Sequence, residues 1–165
     1  MYLQELTIAD EVTYKQFFQQ GLAEYPQFFR LTIQDDQQEA YPTKDQPDSF
    51  TLAAIDGNGQ WLGVVSFKTE YDNRENLTHK GLLFRMYVAR IAASKGVGSA
   101  LVEAVINRAR NLPAIEQIDL TVVSDNERAI KLYNRFGFVL YGLEPSSIKR
   151  GPGQYQDEAL MKLML

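Results

Sequence analysis

SKGVGSALVEAVINRA, residues Ser94 to Ala109, carries a glycine-rich turn straight into a long helical repeat. Val97, Leu101 and Val105 recur at i, i+4 and i+8, and Val102, Ile106 and Ala109 broaden the same apolar face, which predicts a helix packed on a sheet. A turn of this kind gathers backbone N–H groups at a helix N-terminus, where free donors and the positive end of the helix dipole attract phosphate oxygens. Taken alone, a Gly-x-Gly pair also reads as a tight turn or as close helix packing.

The surroundings of this helix define the layering. Before it, LLFRMYV (Leu82 to Val88) is apolar enough for a buried central strand. Phe50 to Ile55 and Trp61 to Thr69 read as strands joined through Asp-Gly-Asn-Gly, a hairpin signal. Met1 to Leu6 reads as a short strand, after which Thr7 or Asp10 caps a helix over Glu11 to Gln20 with Val12, Phe17 and Phe18 as its apolar positions. Tyr25, Pro26, Phe28 and Phe29, followed by a polar stretch to Asp48, predict a second, short helix and irregular connections. Packing under a loop is the preferred reading of these aromatics, with lining of a cavity as the alternative.

After the helix, Pro113 closes the segment, and Ile118, Leu120 and Val122 alternate with Asp119 and Thr121 as in a strand. A further helical repeat at Ala129, Leu132, Tyr133 and Phe136 stops at Gly137. Phe138 to Leu143 and Ala159 to Leu165 are two final strands separated by a loop containing Gly151, Pro152 and Gly153. No linker or repeat divides the chain, which predicts one α+β domain over residues 1–165.

Composition narrows the chemistry. The chain has 165 residues, 45% of them hydrophobic, a formal charge of −4 and no cysteine. That excludes thiolate nucleophiles, disulfide scaffolds and cysteine-based zinc sites, and His79 alone cannot build a multi-histidine metal site. The acidic balance disfavours a nucleic-acid partner and slightly favours a cationic substrate. No leader and no membrane-length apolar run is present, so a cytoplasmic protein with no membrane partner is expected.

A second segment, SDNERAIKLYNRFGF (Ser124 to Phe138), follows the first by about thirty residues. Together with SKGVGSAL and the order of elements, it resembles the GCN5-related N-acetyltransferase superfamily over essentially the whole chain. The resemblance implies an α/β/α fold with a mixed central sheet of about six to seven strands and about four helices, splayed between the fourth and fifth strands. In this family acetyl-coenzyme A lies in the gap. Its pantetheine arm pairs with backbone matching Met86, Tyr87 and Val88, and its pyrophosphate sits on the turn matching Ser94, Lys95, Gly96, Val97, Gly98 and Ser99.

The resemblance also places Asn126 near the pantetheine and the Tyr133 hydroxyl near the sulfur. A phenol is protonated at neutral pH, so Tyr133 can give a proton to the leaving thiolate. Their alternative roles are a helix N-cap for Asn126 and a core aromatic for Tyr133. Two departures stand out. Ala93 occupies a position where the family commonly has Gln or Arg, leaving Lys95 or Arg90 to restore charge, and the central strand lacks the Glu that many relatives use as a base. Among Glu70, Glu75, Glu144, Asp157 and Glu158, an exposed, solvated carboxylate is the preferred reading for each; Glu144, before Pro145 near the family's acceptor entrance, is the first choice as base, with a water relay as its equal.

The resulting expectation is an acetyl-CoA-dependent N-acetyltransferase acting on a small-molecule or peptide amine by direct attack in a ternary complex. Tyr141, Glu144 and Tyr155 are expected acceptor contacts. The alternative is a non-catalytic acyl-CoA-binding sensor or interaction module. Edge strands or the final strand are the surfaces expected to pair in a homodimer.

Overall fold

The seven strands of a mixed sheet lie in the order β1-β2-β3-β4-β5-β7-β6. The computed structural model describes residues 1–71 and 73–165. In chain order the elements are β1 (Tyr2–Leu6), α1 (Glu11–Glu24), α2 (Ile33–Gln38), β2 (Ser49–Ile55), β3 (Trp61–Thr69), β4 (Lys80–Val88), α3 (Val97–Arg110), β5 (Gln117–Val123), α4 (Glu127–Arg135), β6 (Val139–Gly151) and β7 (Gln154–Met164). The predicted α+β class, layering and position of the splay all hold.

Alternation along the strands builds two cores. Phe67, Leu83, Ile118, Leu120 and Met161 face α3 and α4, while Ala53, Val64 and Tyr87 face Tyr14, Phe17 and Phe18 of α1. The Val12 position is corrected: it is 70% exposed, because the buried stripe of α1 runs through Tyr14, Phe17, Phe18, Gly21 and Leu22. Thr7 caps a single 3-10 turn (Ile8–Asp10) in a reciprocal capping box with Asp10, ahead of α1.

The site exists because β4 and β5 part company. They are parallel and paired only at Lys80–Leu82 with Gln117–Asp119. Beyond that point, β4 carries a bulge: Val64 pairs with Tyr87 but Ser66 with Phe84, so Arg85 and Met86 together oppose Val65, and Arg85 takes a positive φ of 49°. The bulge puts Phe84 and Arg85 on the α1/α2 side and turns β4 away from β5. Arg85 is then locked by the fully buried Asp36 at 2.5 Å and by Glu39, with its guanidinium 5.0 Å from the Phe18 ring centre.

The last hairpin is longer than the spacing predicts. Strands β6 and β7 extend through the segment expected as loop and turn at Pro152 and Gly153. Irregular register between Glu144 and Ile148 absorbs Pro145, which has no N–H, and the Ser146 amide donates to Asp157 at 2.7 Å.

Candidate active site

Helix α3 begins at Gly96, whose φ of 80° is readily adopted only by a residue without a Cβ. Ala100 N–H donates back to the Gly96 carbonyl, so the amides of Gly96, Val97, Gly98 and Ser99 precede the helical ladder and remain available to a ligand. Gly98 answers to packing. A Cβ there would lie 3.1 Å from Leu132 and 3.3 Å from Met86, so its absence lets α3 approach both α4 and β4.

Helix α4 forms the second wall. The Asn126 side chain accepts from Ala129 N–H at 3.2 Å as an N-cap, leaving its amide donors for another partner. The helix ends in a Schellman motif, with Gly137 N–H on Asn134 and Phe138 N–H on Tyr133. Tyr133, 6% exposed, packs its ring on Phe138 and donates its hydroxyl to the Met86 sulfur at 3.4 Å. Burial raises the phenol well above its ordinary value, so the proton stays on oxygen.

One cavity of about 1340 Å³ joins these features, larger than a usual single-ligand pocket. Every predicted cofactor residue except Lys95 lines it. The Tyr87 side chain points to the opposite core and donates to Glu24 at 2.9 Å, so that residue can offer only backbone to a cofactor. Among the described residues, β4 beyond Leu82 has no strand partner on its β5 side, which leaves that backbone edge free to pair with an extended ligand.

The charge missing at Ala93 is supplied by neither Lys95, which lies off the cavity, nor Arg90, whose guanidinium sits 5.5 Å from the Tyr25 ring centre. Arg135 of α4 donates to Ser99 Oγ at 3.3 Å beside the turn, and Arg128, Lys131 and Arg135 line the cavity. The signal for them is the helical spacing of Arg128, Lys131 and Arg135 on α4.

The cavity continues through the gap to the α1/α2 side. There Tyr25, Phe28 and Phe29 line it, while Tyr25 and Phe29 also pack on the α1-side core, so both the packing reading and the cavity alternative describe them. Glu158 is 3% exposed and lines the cavity. Its carboxylate accepts from Arg30 Nε at 3.2 Å, from Arg30 Nη2 at 2.5 Å, and from the Ser147 hydroxyl. The expectation of a solvated carboxylate is therefore wrong for Glu158. Glu144, its cross-strand partner, is exposed and outside the lining, and Ser147, within the β6 irregularity that follows Glu144, is the β6 side chain that reaches Glu158. Tyr141 and Tyr155 are also exposed and outside it. Glu70, raised by burial and then by Asp119, lies near Asp119, away from the cavity.

No helix among the described residues is long and apolar enough to cross a membrane, and none of their His, Asp and Glu side chains form a group of three able to hold a metal.

A family model described as the acetyltransferase (GNAT) family matches residues 15–138. The L-amino acid N-acetyltransferase AaaT of Escherichia coli (strain K12) is 37% identical over 68 residues, 41% of each chain, so the match spans about two fifths of that relative. A GNAT-family acetyltransferase from Streptococcus pneumoniae superposes with a TM-score of 0.84 at 23% identity, covering 99% of both chains. A Salmonella typhimurium protein solved with its cofactor acetyl-CoA gives a TM-score of 0.73 at 18% identity, covering 99% of this chain and 93% of that one. The two structural likenesses show the fold.

Proposed function

Because the chain belongs to the acetyltransferase (GNAT) family, we propose that it works as one acetyl-CoA-dependent N-acetyltransferase domain, moving an acetyl group to a primary amine by direct attack in a ternary complex. The observation that carries this reading is the buried Tyr133 hydroxyl, held against a sulfur atom where β4 and β5 separate.

The cavity fits acetyl-CoA in three respects. The α3 amides with Arg135 suit a pyrophosphate, the unpaired edge of β4 suits an amide-bearing arm, and the gap suits a thioester between the sheet faces. Acetyl-CoA, when bound, supplies an acetyl thioester whose C–S bond breaks as the acceptor nitrogen bonds to the carbonyl carbon.

The chain's own groups manage the protons. Tyr133 gives its hydroxyl proton to the departing sulfur, as a general acid whose burial keeps that proton in place. An alkyl ammonium must lose a proton before its nitrogen can attack. Glu158 is the buried carboxylate facing the cavity, and it takes over the role expected of Glu144. With no cysteine in the chain, no thiolate is available for an acyl-enzyme route.

Thiol release from acetyl-CoA across a panel of amines and peptides tests the reading, with Tyr133→Phe as the control. Turnover that falls by about 10²-fold or more in the variant supports it. Acetyl-CoA binding without turnover, unchanged by the substitution, would instead leave a binding module.

A further inference from the structure

The Arg30–Glu158 pair is an unusual thing to find in a cavity wall. Arg30 comes from the segment between α1 and α2, and Glu158 from β7, on the sheet face opposite the α3 turn. The Glu158 side chain is 4% exposed and that of Arg30 is 60% exposed, so an anion at the cavity wall is fixed while its cation keeps an open side. Oε2 of Glu158 takes both Arg30 Nη2 and Ser147, whereas Oε1 takes only Arg30 Nε. The pair therefore keeps spare accepting capacity on Oε1 of the carboxylate and a guanidinium nitrogen, Nη1, that the carboxylate does not use, within one ion pair.

Adjacent opposite charges are complemented by adjacent opposite charges. The ammonium and carboxylate of an α-amino acid are one carbon apart, so one can meet Glu158 while the other meets Arg30, and the buried carboxylate stays compensated. Phe28 and Phe29 directly precede Arg30 and, with Tyr25 and Phe84, give the same end of the cavity an apolar lining. Six basic and four acidic side chains line the cavity as a whole. A polyamine, which brings only positive charge, finds no such match, and an N-terminal peptide amine has no neighbouring carboxylate for Arg30. The acidity of the whole chain, which favoured a cationic substrate, is not the field that an acceptor meets.

We infer that the acceptor is an α-amino acid with an apolar side chain, its ammonium held by Glu158 and its carboxylate by Arg30; this rests on the acetyl-transfer reading above. Arg30 is thereby the specificity-determining residue.

Calorimetry on the CoA-saturated protein tests this with L-phenylalanine, phenethylamine (the same skeleton without the carboxylate) and spermidine, alongside thiol release from acetyl-CoA with each. L-Phenylalanine is expected to bind at least about 10-fold more tightly than phenethylamine, the strength of a charge-assisted contact. Arg30→Gln should erase that ratio and Arg30→Lys should restore part of it. Because Arg30→Gln strips Glu158 of its counter-charge, Arg30→Gln/Glu158→Gln serves as a second variant without the unpaired charge, its folding checked by thermal melting, and it too should lose the ratio. Phenethylamine or spermidine binding as tightly as L-phenylalanine, a ratio that survives Arg30→Gln in a folded protein, or no binding by any of the three overturns the inference. Selective binding without thiol release leaves the amino-acid site at Arg30 and Glu158 standing and sinks acetyl transfer. Thiol release favouring phenethylamine does the reverse.

Discussion

The Tyr133 hydroxyl donates to the Met86 sulfur across 3.4 Å, linking helix α4 to strand β4 at the point where the sheet has opened. A thioether sulfur is a weak acceptor, so this bond holds the phenol in position without competing strongly with a better partner. Tyr133→Phe is expected to lower kcat by about 10²- to 10³-fold with the KM for acetyl-CoA nearly unchanged. Steady-state thiol release checks it; a rate near that of the wild type refutes the general-acid role.

Arg135 reaches Ser99 from the facing helix, on a turn that has Ala at position 93. Replacing it by Gln should raise the KM for acetyl-CoA by roughly 10-fold with little change in kcat, because the lost contact is the same in the ground and transition states. Lys95→Ala, off the cavity, should leave both constants within about twofold. Equal effects of the two substitutions would refute this division of labour.

Gly96 and Gly98 fail for different reasons when each is changed to Ala. Gly96→Ala forces a Cβ onto a φ of 80° with nothing nearby to clash, so it should cost about 1–2 kcal/mol in urea unfolding. Gly98→Ala pushes on Leu132 and Met86 instead. Since Met86 holds the Tyr133 hydroxyl, this second variant should lower kcat more than Gly96→Ala does, as kinetics on both proteins will show.

Arg85 and Asp36 form a buried pair that ties α2 to β4, with Gln19 also donating to Asp36 at 2.9 Å. Arg85→Met leaves the Asp36 carboxylate uncompensated and should cost roughly 3–5 kcal/mol, whereas adding Asp36→Leu should recover a large part of that loss. Chemical denaturation of the two variants decides; an additive double variant would mean the pair is not coupled.

Alkaline pH should weaken the fold in a defined window. Burial pushes Tyr14 up to about 12 and Tyr133 further, above the unfolded phenol value of about 10. These groups keep their protons in the folded chain, so their contribution is intact below pH of about 10 and is lost as the unfolded phenols ionise above it. For Tyr133 alone the loss approaches about 1.4 kcal/mol per pH unit once the unfolded phenol is fully ionised. Tyr133→Phe should flatten that loss, measured as unfolding free energy from about pH 9 to 11.

Local patterns carried far. The i, i+4 repeat from Val97, the stop at Gly137 and the alternation around Ile118 each depend on residues within a few positions of one another, and these elements appear as their spacing predicts. The turn at Gly96 and the pair Asn126 and Tyr133 were legible for the same reason, since one helix start and one helix face display them. What surrounds them was decided elsewhere. Arg30 and Glu158 meet across 128 positions of sequence, and Arg135 meets Ser99 across 36. That Ser147 reaches Glu158 depends on a register irregularity in β6, and the gap itself on a bulge in β4. Side chains on a strand alternate faces, so one extra residue redirects every side chain beyond it, and only the folded sheet determines where that residue falls.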